Sequence, residues 1–249
     1  MFGSHTDRVI TGLALVLAVL FIGWIDNFFV MWFVLGVIYL LAFKEATKLF
    51  GVDSRGLMKY ALGLWLLAGV YPYGDDLFVL AGVAYASAVA FNKDLAWKNF
   101  LPFIYPTAGM LFILTMYQEY NVVSLLWLLI VVALTDVGAY AVGKSIGKTK
   151  FCETSPNKTM EGVAGGILVA TIGGMFVGLS IVDLWTAFII SFVVATSSIF
   201  GDLYESSLKR AAGVKDSGDL LPGHGGVLDR IDGYLFGAIV MLVLLRGLV

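Results

Sequence analysis

The chain has 249 residues, 59% hydrophobic and 14% charged, with a net charge of −2 and a mean hydropathy of +0.91. A soluble domain carries roughly 25% charged residues, so this composition excludes an ordinary soluble protein, and the near-neutral balance leaves no nucleic-acid footprint. The single cysteine, Cys152, excludes an internal disulfide and a cysteine-based zinc site.

A spanning helix needs about 20 mostly apolar residues. Candidate spans in chain order are Val9–Ile25, Phe28–Phe43, Leu57–Tyr71, Leu77–Phe91, Phe100–Tyr117, Val122–Val142, Gly162–Val182, Leu184–Gly201 and Ile231–Val249. Two of them, around 58–71 and 77–91, could instead form one re-entrant feature. Strand alternation is absent, and an open sheet edge cannot face lipid. The expected fold is all-α: a polytopic integral membrane protein with about nine transmembrane helices in a single membrane domain, 1–249. Its second half, 122–249, would carry the chemistry. After the first apolar run come Trp24, Asp26 and Asn27 in place of a small-residue cleavage site, so no cleavable signal peptide is expected.

Charge predicts the orientation. Asp26, Asp75, Asp76, Glu119 and Asp183 fall in alternate connections that hold no Lys or Arg, and the other connections hold every basic residue except Arg246. The positive-inside rule makes the basic side cytoplasmic. The N-terminus is expected inside, the C-terminus outside, and the polar segments 144–161 and 202–230 in the cytoplasm. A short chain of this kind fits a bacterial inner (plasma) membrane.

Chemistry-bearing residues gather in the second half. Asp136 sits within an apolar run, where a carboxylate costs about 2.5–3.5 kcal/mol on insertion scales, and such residues usually face a polar cavity. Gly138 to Ser145 reads GAYAVGKS and matches the P-loop pattern. A P-loop follows a strand and opens a helix, whereas this run ends a membrane helix, so the match is a coincidence of composition. Ser155-Pro156-Asn157-Lys158-Thr159 precedes the next span; Lys158 and Thr159 could hold a phosphate, and Ser155 or Asn157 could cap the helix. A plain capped helix entry fits equally well.

Asp202, Glu205 and Lys209 share a face if their helix continues. They suit either a hydrated divalent cation with a phosphate or a solvated ion pair. Asp229 and Asp232 are three apart and also share a face, and Asp232 opens an apolar helix, where it is costly unless paired or metal-bound. Oxygen ligands from two segments suit Mg²⁺, which keeps waters and takes substrate phosphates. Gly225 and Gly226 beside His224 could turn backbone N–H groups toward an anion. These residues together describe a cytoplasm-facing site suited to Mg²⁺-assisted phosphoryl or nucleotidyl transfer to a lipid.

The run S-x-x-K-R-x-x-x-x-K-D-x-G-x-x-x-P-x-H-G-G-x-x-D-R-x-D, Ser206 to Asp232, resembles the signature of the phosphatidate cytidylyltransferases (CDP-diacylglycerol synthases). Asp136 to Tyr140, Ser155 to Thr159 with Glu161-Gly162, and Gly201 to Ser206 are similar to that family too. The resemblance covers roughly 136–232; the first half shares only its apolar spans. It implies that phosphatidic acid and CTP give CDP-diacylglycerol and pyrophosphate with Mg²⁺, in a membrane homodimer. It implies Asp202, Asp229 and Asp232 as metal ligands, and these three with Lys209 and Arg230 as catalytic residues. Substrate contacts would fall to Asp136, Ser155, Lys158, Thr159, Glu205, Arg210, Lys215, Asp216, His224, Gly225 and Gly226.

Two rivals stand beside this reading. A sister enzyme could use CTP on an ether lipid or a polyprenol. An ion or phosphate transporter would also use intramembrane carboxylates, but it predicts broken or charged helices in two corresponding halves, and here the special residues crowd one half.

Overall fold

A computed structural model describes residues 5–223 and 225–249; the side chains at 5–9, 11 and 15 lie outside the description. His224, expected at the site, is therefore not among the described residues, nor is the Arg8 side chain.

Eight α-helices account for most of the described chain: α1 (His5–Ile25), α2 (Phe28–Leu49), α3 (Ser54–Ala68), α4 (Asp76–Phe91), α5 (Ala108–Ile146), α6 (Met160–Gly178), α7 (Leu184–Ala211) and α8 (Leu228–Leu248). Short 3₁₀ and π turns over Trp97–Phe100 and Phe103–Thr107 lead into α5. The only β pairing among the described residues is two isolated bridges, so the all-α expectation holds.

Polar residues at the edges of the apolar runs start the helices, each accepting orphan N–H groups of a first turn. The Asn27 side chain accepts from Phe29 N at 3.0 Å and Val30 N at 3.3 Å. Asp53 accepts from Arg55 N at 3.0 Å, and Asp183 from Trp185 N at 2.9 Å.

Five helical runs are long and apolar enough to cross a membrane: α2, α6, α7, α8 and the 50-residue run Trp97–Ile146. That is fewer than the nine expected, for three reasons. The 15 residues of α3 and 16 of α4 are short, and of α1 only Gly12–Ile25 counts as an apolar helix, which is short too. The expected spans Phe100–Tyr117 and Val122–Val142 fall on one run. Within it the backbone breaks at Asn121, where φ is 58° and ψ −172°, and the Asn121 side chain accepts from Val123 N at 2.9 Å, restarting the helix.

Packing divides the chain into two compact units. One comprises Met1–Gln118 with Ala211–Ile231, the other Glu119–Arg210 with Asp232–Val249. The first unit has an aromatic core: ring centroids lie 5.1 Å apart for Tyr39 and Trp65, and 5.0 Å for Phe43 and Phe103. Trp32 and Trp65 each donate an indole N–H to the other's carbonyl at 3.1 Å, which satisfies both polar edges inside an apolar setting. In the second unit the buried Trp127 donates to the Ser191 hydroxyl at 3.0 Å, among buried Val131, Ile190, Val194, Leu235 and Leu242.

Candidate active site

In the second unit, glycines set how closely the helices approach. A Cβ at Gly166 would stand 2.5 Å from the Thr135 carbonyl, and one at Gly162 would stand 2.7 Å from the Ala139 carbonyl. The backbones of α5 and α6 therefore touch along the turns that carry Asp136. A Cβ at Gly201 would lie 2.6 Å from the Asp232 carbonyl oxygen. That contact seats the Asp202 turn of α7 against the Asp232 turn of α8.

Residues 147–159 fold back on themselves. Phe151 N donates to the Lys158 carbonyl at 2.9 Å, Met160 N to the Thr149 carbonyl at 2.9 Å, and Lys158 N to the Ser155 carbonyl at 3.0 Å. Ser155 thus closes a turn. The cap of α6 is Thr159, accepting from Gly162 N at 3.1 Å, and not Ser155 or Asn157 as expected, because the turn places Thr159 at the last non-helical position. Glu161, for which the sequence suggests no role of its own, ties the hairpin down: it accepts from Lys148 N at 3.1 Å and from the Thr149 hydroxyl at 2.9 Å.

This hairpin aims Lys158 at Asp202, and the two form an ion pair. Ser206 donates to the other Asp202 oxygen at 3.3 Å. One turn further along α7, Glu205 and Lys209 pair with each other, fully and nearly fully buried. Burying such a pair away from water is costly unless its geometry is good. The charges of Asp202, Asp136 and Lys209 all act on Asp232, and Asp136 itself is exposed on α5. Asp136, Asp202 and Lys209 thus lie within electrostatic reach of Asp232, and Lys158 and Glu205 join them through their ion pairs.

In the first unit, the loop between α7 and α8 wraps carboxylates of the chain itself. One oxygen of Asp229, Oδ2, accepts from Ser217 N at 2.9 Å, the Ser217 hydroxyl at 2.9 Å and Gly226 N at 2.8 Å. Gly225 has φ of +79°, and a Cβ there would sit 2.7 Å from that oxygen, so both conformation and space require glycine. A second carboxylate, Glu45 of α2, is 6% exposed. It accepts from Val227 N at 3.1 Å, Leu228 N at 2.8 Å and the Ser217 hydroxyl at 3.1 Å. The N–H groups around the glycine turn, expected to face a substrate anion, here face Asp229 and Glu45. Lys215, Asp216 and Arg230 are exposed in this unit, as is Arg210 in the other.

The segment Gly138–Ser145 lies inside α5, which continues to Ile146. Its N–H groups serve the helix, so it is no P-loop. Among the described residues, no three acidic, His or Cys side chains stand together in a geometry that would cage a metal ion.

The cytidylyltransferase family model matches residues 6–248. The chain is 43% identical over 245 residues to a phosphatidate cytidylyltransferase of Helicobacter pylori, covering 97% of this chain and 92% of that protein. It is 33% identical over 255 residues to a phosphatidate cytidylyltransferase of Bacillus subtilis, with 92% and 93% covered. A third, from Thermotoga maritima, is 36% identical over 184 residues, with 69% and 68% covered. A match that runs through all eight helices and includes every carboxylate described above shows that the chain belongs to the cytidylyltransferase family.

Proposed function

We propose that the protein is a phosphatidate cytidylyltransferase, joining CTP and phosphatidic acid to give CDP-diacylglycerol and pyrophosphate in phospholipid biosynthesis. The observation that carries this reading is the near full-length likeness to enzymes of that name. The charged cluster of Asp202, Asp232, Asp136, Lys158 and Lys209 supports it.

In the reaction, an oxygen of the phosphatidate phosphate attacks the α-phosphorus of CTP. The new P–O bond forms as the bond from that phosphorus to the bridging oxygen breaks, and pyrophosphate leaves with the electron pair. The nucleophile is already an anion, so little acid–base work is needed, and catalysis rests on positioning and charge. Lys158 and Lys209, each now paired with a carboxylate, would exchange toward phosphate oxygens as substrate arrives. Exposed Arg210, Lys215 and Arg230 would draw the triphosphate and the lipid phosphate, and Asp216, Ser155, Thr159, Glu205, His224, Gly225 and Gly226 are the further proposed substrate contacts.

The acidic donors are all carboxylate oxygens, which fit a hard divalent cation such as Mg²⁺. That ion keeps several waters and uses one or two carboxylates plus substrate phosphates, so it needs no closed protein cage. Asp202, Asp229 and Asp232 are the proposed source of the one or two carboxylates that would hold it. When bound it offsets negative charge on the phosphates.

We infer about nine crossings, with the arms of α5 on either side of Asn121 each counting as one, an active site facing the cytoplasm, residence in the inner (plasma) membrane, and a homodimer. Purified protein in detergent, given CTP and Mg²⁺ with phosphatidic acid, an ether-lipid phosphate or a polyprenol, tests the substrate class. A CDP-lipid made from phosphatidic acid is the expected product. Product with another acceptor alone would move the protein to a sister activity.

A further inference from the structure

Glu45 lies in the first half of the chain, outside the run 136–232 that carries the family-like motifs. It is a carboxylate on a candidate membrane-crossing helix, 6% exposed. A carboxylate so placed is expensive unless its oxygens are satisfied. Both are satisfied, and every donor comes from one segment. Oε1 accepts from Val227 N at 3.1 Å; Oε2 accepts from Leu228 N at 2.8 Å and the Ser217 hydroxyl at 3.1 Å. The first two donors are orphan N–H groups at the start of α8, the helix that carries Asp229 and Asp232. The third belongs to the residue whose N–H and hydroxyl both reach Asp229 Oδ2 at 2.9 Å. The packing leaves no slack. A Cβ at Gly218 would lie 2.5 Å from Glu45 Oε1, and one at Gly226 would lie 2.3 Å from the Ser217 hydroxyl oxygen and 2.5 Å from Glu45 Oε2.

We propose that Glu45 is a positioning residue for nucleotidyl transfer: it fixes the first turn of α8 directly and fixes the Asp229 carboxylate through Ser217. This rests on the functional reading above. A serine hydroxyl has one proton and two acceptor lone pairs. Set between two carboxylates, it can give that proton to only one of them at a time, with Asp229 Oδ2 at 2.9 Å and Glu45 Oε2 at 3.1 Å, so its position answers to Glu45 and the position of Asp229 answers to it. The substrates do not touch Glu45; its effect reaches the chemistry as the placement of Asp229. Misplacing a catalytic group by an ångström lowers the rate of the chemical step. Ground-state binding of the triphosphate, carried by the exposed basic residues, is little changed.

The test is steady-state kinetics on purified Glu45→Gln, Ser217→Ala and the double variant beside the wild type, with thermal melting in the same detergent. Glu45→Gln keeps the size of the side chain but turns an NH₂ toward N–H or O–H donors. Ser217→Ala leaves the bonds from Glu45 to Val227 N and Leu228 N and the backbone N–H of residue 217 on Asp229 in place, and removes only the hydroxyl that stands between the two carboxylates. Each single variant is expected to lower kcat about 10-fold or more, with KM for CTP within about threefold. The double variant should be no worse than the poorer single one, since both cut the same connection. A kcat for Ser217→Ala within threefold of wild type would overturn the proposal, leaving Glu45 as a helix cap alone, and it decides the matter even if Glu45→Gln fails to fold. Multiplicative losses in the double variant, or a rise in KM with unchanged kcat, would overturn it too. A folded wild type that makes no CDP-lipid would instead overturn the functional reading on which the proposal stands.

Discussion

Asp229 is an acidic residue whose surroundings allow a clean separation of charge from structure. Its Oδ2 accepts three hydrogen bonds, and the carboxamide of Asp229→Asn can keep all three by presenting its oxygen there. The fold should therefore survive while the charge is lost. Removing a preorganised electrostatic partner typically costs 10²–10³ in rate, so turnover should drop about 100-fold or more with the melting temperature nearly unchanged. Near-wild-type turnover would remove Asp229 from the ligand set. The acidic residues expected of the site were visible in the sequence because charge is rare in this chain and each one stands out against apolar neighbours. Glu45 stood out equally, within Lys44-Glu45-Ala46-Thr47-Lys48, but flanking lysines make such a run look like an ordinary cytoplasmic helix end. Its partners are 172 to 183 positions away, a pairing that no local pattern encodes.

At the scale of elements, the helices were legible from their apolar runs and their caps from the polar residues between them. The connections were less so. The segment between α5 and α6 is a closed hairpin, held by Glu161 and by the turn at Ser155. Its last residue, Thr159, caps α6, and its neighbour Lys158 pairs with Asp202. Cap and ion pair are thus one device. Thr159→Ala should cost about 0.5–2 kcal/mol of stability, read as a lower melting temperature. It should also lower turnover, because Lys158 loses its anchored backbone. A variant with the lower melting temperature and full turnover at a temperature where it stays folded would separate the two roles and contradict this account. The merging of two expected spans into Trp97–Ile146 also has a local cause: Asn121 breaks the helix by its own φ and then restarts it with its side chain, so the interruption spans one residue.

At the scale of the whole molecule, the sequence suggested an inert first half and a working second half, whereas the packed units cut differently. Ala211–Ile231, with Ser217, the glycine turn and Asp229, belongs with the first 118 residues. Glu45 explains this physically, since a buried carboxylate draws the nearest available donors around itself. The apolar first half therefore holds the segment that carries Ser217 and the first turn of α8. Orientation is the other molecular property that follows from sequence: basic residues crowd alternate connections, so a reporter fused after Val249 should be active only outside the cytoplasm. Activity inside would refute the nine-crossing reading. The most direct measurement of the central claim uses CTP labelled with ³²P at either the α- or the γ-phosphate, given to purified protein with phosphatidic acid and Mg²⁺. The account predicts that α-label moves into the lipid while γ-label appears only in pyrophosphate. Label from the γ-phosphate in the lipid would mean phosphoryl transfer in place of cytidylyl transfer, and no lipid label from folded protein would contradict the enzyme reading altogether.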